Sequence, residues 1–329
     1  SRDAFSWPHL ADGSTQDFGT AEAWRMLEAT GNDANRVPVA ILDGGFVMSP
    51  DLPVTTQVFP AGSFGQPHPY NCGGGSPCPW HGTNVAGIAA GIPDNGFGAA
   101  GSGGTVVDPL LLQMPTPDFV SVVRFAASTF RALVGSQPRV FNMSFGGEIP
   151  AVPCVVACGL IDVVTGSLRV AGILPVASAG NGGADNMGDN VDAEDCFLGI
   201  CWESAGHVPC ENAGVLCVGG VAWDANSADP SSNFGTRRDD SGTVEIFGPF
   251  TVLTTDSVNG LAVPNVAATI SGTSVAAPYV AGCAGMVMAA NPALSAGQVE
   301  SLLISTARAT GPDGRARNRI DCGEAVRQA

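Results

Sequence analysis

Three side chains set far apart in this chain have the types needed for acyl transfer: Asp43, His81 and Ser274. Ser274 lies in Gly272-Thr273-Ser274-Val275-Ala276-Ala277-Pro278-Tyr279-Val280-Ala281-Gly282, where a turn of small residues delivers a serine onto the start of an apolar helix. N–H groups at a helix start lack intrahelical acceptors, so a hydroxyl there sits beside donors suited to an oxyanion. A serine hydroxyl is a weak nucleophile until an adjacent base takes its proton and a third group fixes that base. His81 opens a small, apolar run closed by Gly91, which predicts a buried helix. Asp43 ends the run Val37-Pro38-Val39-Ala40-Ile41-Leu42-Asp43, a buried-strand pattern followed by two glycines. Each residue has a structural alternative: a Ser or Thr helix cap, a packed histidine, an Asp-Gly turn. Together, in the order Asp, His, Ser and each at an element end, they form the set that serine nucleophilic catalysis requires.

The elements that must position these groups alternate. Strand-like runs at 37–42, 106–114, 139–143, 170–177 and 215–221 alternate with helical stretches at 81–91, 118–134 and 274–290, which predicts an α/β fold: a mostly parallel sheet with helices on both faces. Ser295-Ala296-Gly297-Gln298 has capping-box spacing and starts a last helix through about Ala307. No internal repeat or interdomain linker is apparent, so residues 1–329 read as one domain, with an N-terminal extension at 1–20 and a C-terminal tail at 311–329.

The chain resembles the subtilisin-like serine peptidases, or subtilases. Their serine, histidine and aspartate motifs match at residues 271–282, 81–87 and 39–45, in the chain order of subtilisin, and the likeness extends over roughly 21–310. The resemblance implies a three-layer subtilisin-like fold and a serine endopeptidase with no cofactor needed for its chemistry. It makes Asn181, at the end of Val176-Ala177-Ser178-Ala179-Gly180-Asn181, the oxyanion donor beside the Ser274 N–H, where Gly-Asn is otherwise a turn signal. It likewise makes Ser144, Phe145, Gly146, Ser178, Ala179 and Gly180 the strand ends that pair with an extended peptide. A structural calcium at Asp51, Asp94 and Asn95 follows from the same likeness, beside the plainer reading of a solvated acidic loop. So does a precursor with a signal peptide and an inhibitory N-terminal pro-segment.

The family pattern bends in four places. Gly44 stands where a Ser or Thr usually follows the aspartate, so Asp43 must find other donors. Tyr279 replaces a histidine behind the nucleophile. Pro115-Thr116-Pro117-Asp118 shortens one side of the cleft, and prolines donate no backbone hydrogen bond. The region between Asn181 and Val215 is enlarged and cysteine-rich. These departures leave the chemistry intact and the specificity open; Gly44 and the shortened cleft support a catalytically weak or inactive binding protein on the same scaffold as a competing function, and an esterase shares the acyl chemistry.

Composition bounds the rest. A net charge of −16, with 14 basic residues that are all arginine, opposes nucleic acid and anionic membrane surfaces as partners. The apolar run from Val275 to Ala290 contains Pro278 and falls short of about 20 residues, so it reads as a core helix, and no membrane span is expected. A monomer acting on protein or peptide substrates is expected. Ten cysteines place the chain in an oxidising compartment, extracellular or periplasmic. Nearest-neighbour pairing gives Cys72–Cys78, Cys154–Cys158, Cys196–Cys201, Cys210–Cys217 and Cys283–Cys322, one connectivity among many. His68, Cys72, Cys78 and His81 also have zinc-like spacing, although a metal-bound His81 could not act as a base.

Overall fold

The computed structural model describes residues 9, 17–60, 62–69, 71–72, 76–114, 137–182, 185, 187–197, 200–224, 227–236, 243–257, 267–309, 315 and 318–329. In chain order the first elements are α1 (Thr20–Thr30), β1 (Val37–Asp43), β2 (Gln57–Phe59), α2 (His81–Ala90), β3 (Val107–Gln113) and β4 (Val140–Met143). The middle of the chain forms β5 (Gly147–Pro150), α3 (Ala151–Val170), β6 (Leu174–Ser178), β7 (Glu194–Phe197), β8 (Ile200–Glu203), β9 (Ala205–Val208) and β10 (Leu216–Val221). The last part adds β11 (Ile246–Pro249), β12 (Thr251–Thr255), β13 (Ala267–Ser271), α4 (Thr273–Ala290), α5 (Ala296–Ser305), β14 (Arg308–Ala309), β15 (Asn318–Arg319) and α6 (Cys322–Gln328).

Nine strands form one sheet in the order β14-β15-β11-β10-β6-β4-β1-β3-β2, parallel except for the β14–β15 pair. Because β1 is paired on both sides, its side chains must be buried on both faces. Val39 and Ile41 enter one apolar core with α2 and α4, while Ala40 and Leu42 enter a second with Ile161 and Leu168 of α3. The five expected strands, observed as β1, β3, β4, β6 and β10, fall within a few residues of their predicted bounds, and the Ser295–Gln298 capping box is formed at α5. The stretch expected to be helical at 118–134 lies outside the described residues.

Helix α4 crosses the first core and is buried along its length except at Ser274 and Ala290. Helix α3 is the longest of the elements the sequence reading does not assign. It has 20 residues, and an 18-residue window of it has a mean hydropathy of 1.9, long and apolar enough to cross a membrane by length and composition. It packs on the sheet through Ile161, Thr165 and Leu168 and leaves Val152, Val155, Val156, Val163 and Val170 exposed.

Disulfides join Cys72 to Cys78, Cys154 to Cys158, Cys210 to Cys217 and Cys283 to Cys322. Cys196 is also disulfide-bonded and lies opposite Cys201 in the β7–β8 register; the Cys201 side chain is outside the described set. Since Cys72 and Cys78 are bonded to each other, they offer no thiolates, and the zinc alternative falls. Cys283–Cys322 ties α4 to α6 across a sequence separation of 39, against 4 for Cys154–Cys158. In the loop-entropy account these closures stabilise by about 4 and about 2 kcal/mol respectively. Denaturant unfolding of the Cys283→Ala/Cys322→Ala and Cys154→Ala/Cys158→Ala pairs should therefore show the first losing about twice as much; equal losses would contradict that account.

Candidate active site

The carboxyl ends of β1, β4 and β6 converge with the starts of α2 and α4, as expected for a parallel sheet. Asp43, the last residue of β1, is 2% exposed. His81, the first residue of α2, faces it, with Nδ1 2.9 Å from Oδ1 and 3.0 Å from Oδ2 of Asp43. Burial alone pulls the His81 pKa down, but the Asp43 charge and hydrogen bond outweigh it and hold the imidazole above its ordinary value of 6.5. That pairing leaves Nε2 as the nitrogen free to face the cavity.

The missing hydroxyl at position 44 has a physical account. The Gly44 N–H donates to Asp43 Oδ1 at 2.7 Å. The space a side chain would fill is taken by the buried ring of His68: a Cβ on Gly44 would lie 2.2 Å from its Cγ and Cδ2.

Ser274 is the second residue of α4, partly exposed in the floor of a cavity of about 1000 Å³ that also reaches Asp43, His81 and Asn181. Neither Thr273 nor Ser274 caps the helix. The N-cap is Gly272, at φ 142°, a conformation that L side chains rarely adopt. A Cβ there would also crowd Asn181 Nδ2 at 3.1 Å and Ser274 Oγ at 3.2 Å, so these two polar atoms lie side by side over Gly272.

Thr273 is the residue that sequence reasoning missed. Its N–H and hydroxyl both donate to Asn181 Oδ1, at 2.7 and 3.0 Å, and the Gly180 N–H donates to Thr273 Oγ1 at 3.0 Å. With the amide oxygen committed, the Asn181 Nδ2 group is the part turned toward the serine. The signal was present: a threonine directly before the serine, in a turn whose first N–H groups need partners.

Ser144, Phe145, Gly146, Ser178 and Gly180 line the same cavity, with Ile149, Ile161 and Val208 adding apolar wall. Ala179 does not. Its N–H donates to Val218 O at 2.9 Å and its carbonyl accepts from Asn233 Nδ2 at 3.0 Å, so these backbone bonds run into the protein.

Asp51 and Asn95 are brought together, but as hydrogen-bond partners. Asn95 Nδ2 donates to Asp51 Oδ1 at 3.0 Å, the Ala99 N–H donates to Oδ2 at 3.3 Å, and the Thr255 hydroxyl donates to Oδ2 as well. Asn95 Oδ1 accepts from the Phe97 N–H at 2.9 Å. Burial raises the Asp51 pKa despite these donors. Asp94 is exposed. Among the described residues, no group of three or more His, Cys, Asp and Glu is arranged to hold a metal ion.

A sequence model of the subtilase family matches residues 34–321. The chain is 29% identical over 252 residues to an extracellular protease of Xanthomonas campestris, covering 72% of this chain but 38% of that protein. It thus spans under two fifths of that relative's length. It is also 29% identical over 290 residues to Subtilisin DY of Bacillus licheniformis, covering 85% of this chain and 87% of that one. The solved structure of MycP1 with the N-terminal propeptide removed shares the fold, at a TM-score of 0.66 and 24% identity over 94% of this chain and 96% of that one. Because the family match runs from before β1 to beyond β15, through the whole nine-stranded sheet, the chain belongs to the subtilase family of peptidases.

Proposed function

We propose that this chain is a secreted serine endopeptidase acting through an Asp43–His81–Ser274 triad. The observation that carries the proposal is the buried Asp43–His81 pair at 2.9 Å opening onto the same cavity as Ser274 and Asn181. His81 Nε2 takes the Ser274 proton as Oγ attacks the scissile carbonyl, and the negative charge on the carbonyl oxygen is met by Asn181 Nδ2 and the Ser274 N–H. His81 passes the proton to the leaving amine, and the acyl-enzyme is then hydrolysed by water activated at the same nitrogen. Asp43 fixes the imidazole orientation and stabilises its charged form. Ser144–Gly146 support pairing with an extended peptide, Ser178 and Gly180 line the same cavity, and Phe145, Ile149, Ile161 and Val208 favour uncharged side chains.

The Gly44 N–H, which donates to Asp43 in place of the lost hydroxyl, argues against the inactive binding protein, one of whose two supports was that loss. Bonded cysteines and the extracellular name of one relative support secretion. The propeptide of MycP1 supports an inhibitory N-terminal pro-segment here too. The packing of α1 against α6 beside α4 supports reading residues 1–329 as one catalytic domain. The chemistry of the family requires no cofactor. The Asp51 loop is not a fit for calcium either, because its oxygens already accept N–H and O–H groups that a cation would have to displace.

Four measurements test this reading. Ser274→Ala should remove turnover by on the order of 10⁶, the size known for loss of the nucleophile in subtilisin, and abolish fluorophosphonate labelling. A folded parent chain that takes no label would refute the triad. His81 must be neutral to accept a proton, so activity falls as pH drops through its pKa, and the acid limb of kcat/KM should have its midpoint above 6.5. Asp43→Asn leaves only the downward pull of burial; the limb should move to lower pH while turnover falls by about 10⁴. An unmoved limb would break the assignment of Asp43. Finally, melting curves with and without a chelator should coincide, and a clear drop in Tm would show that a metal is held after all.

A further inference from the structure

Asn233 lies outside all three motifs and does not line the cavity, yet it holds the loop that carries Asn181 on both sides. Its Oδ1 accepts from the Gly182 N–H at 2.8 Å and from the Asp189 N–H at 2.9 Å. Its Nδ2 donates to Ala179 O at 3.0 Å, and its backbone N–H donates to Gly180 O at 3.0 Å. Residues 179, 180 and 182 are therefore all tied to one side chain and its own backbone, while residue 181 between them is left to face the serine.

The fit is close. Gly180 is at φ 102°, and a Cβ there would stand 2.6 Å from Asn233 Nδ2. Asn233 is itself 4% exposed and fixed from behind: Ser232 is fully buried, accepts the Gly220 N–H at 2.8 Å, and donates to the Asn233 carbonyl at 2.9 Å. Of the amide's two ends, only the observed orientation satisfies both neighbours, since a reversed one would set NH₂ against two N–H donors. An aspartate would fail differently, setting a carboxylate oxygen against the Ala179 carbonyl.

We infer that Asn233 is a positioning residue for the oxyanion hole, acting through Asn181 rather than on substrate. Thr273 sets the amide of Asn181 from the helix side, and Asn233 sets its backbone from the strand side. An oxyanion donor contributes only if it is already aimed at the place where charge develops, and a displacement of about 1 Å can cost about 10²-fold. The inference rests on the proposed role of Asn181.

A double-mutant cycle on the full chain tests it, using Asn233→Ala, Asn181→Ala and the pair, with kcat and KM read separately on a chromogenic peptide. Asn233→Ala should lower kcat by up to about 10²-fold with KM changed less than about threefold. Asn181→Ala should lower kcat by about 10²–10³-fold. In the Asn181→Ala background, Asn233→Ala should cost less than about threefold, because the group it positions is already gone. Full additivity, or a loss confined to KM, overturns the inference while leaving the triad intact. If Asn181→Ala and Ser274→Ala both retain full activity, the underlying catalytic assignment fails instead. Should Asn233→Ala not fold, as judged by its melting curve, Asn233→Ser keeps an acceptor at shorter reach, and the same non-additivity with Asn181→Ala is required of it.

Discussion

A carboxylate buried at the end of an interior strand is the constraint around which this protein is arranged. Asp43 is 2% exposed, and an ionised group so placed costs several kcal/mol unless partners meet it. Its partners, the Gly44 N–H and the His81 ring, each dictate further structure. For His81 to reach the strand end, α2 must begin beside the loop that follows β1, and its first-turn N–H groups find their acceptors in that loop. Gly82 N–H donates to Gly44 O at 2.7 Å and Thr83 N–H to Gly45 O at 3.1 Å. The Thr83 hydroxyl donates to Gly45 O and accepts from the Val47 N–H, at 3.1 and 2.9 Å. Acid and base are thus joined through backbone as well as side chain.

The same device recurs at α4. A helix start carries N–H groups with no partner of their own, and here the first of them goes to Asn181 Oδ1. At both helices that point into the cleft, then, the orphan donors lock an adjoining loop: after β1 for α2, after β6 for α4. What is left over for substrate at α4 is the next position, Ser274. Preorganisation of this kind lets the hole act without rearranging when charge appears.

The positions of Asp43, His81 and Ser274 at element ends are legible in the sequence because strand ends and helix starts leave local signatures: an apolar run closed by Asp-Gly, a His or Ser heading a run of small residues. The long-range partners left none. Nothing near Asn233 marks it as bonding residues 179–182, since its contacts arise only when β6 and β10 become neighbours. Asp51 and Asn95 looked like ion ligands because their oxygens were visible in the sequence and their donors, Ala99 and Thr255, were not. Helix α3 was hidden for a different reason. Pro153 sits in its first turn, where a missing N–H is tolerated, and its valines are β-branched. Its two cysteines, Cys154 and Cys158, pair as nearest neighbours, and a spacing of four residues is also one turn of a helix face.

The two sides of the cleft obey different physics. The side that holds Asp43 and His81 consists of sheet ends and two helix starts, where Asp43, Thr83, Thr273 and the Asn181 amide oxygen are each committed to a partner and little can change without stranding one. The facing walls come from surface segments: the Cys72–Cys78 loop, and the β5–β9 pair in which Gly147 lies opposite Val208. Such segments tolerate change, and covalent closure takes over the ordering that a core would otherwise provide. This division explains how 29% identity to Subtilisin DY coexists with a fully formed Asp–His pair. Ile149 and Val208 face the cavity from these walls, apart from the Asp43–His81 pair, so they can change without disturbing the contacts that hold that pair.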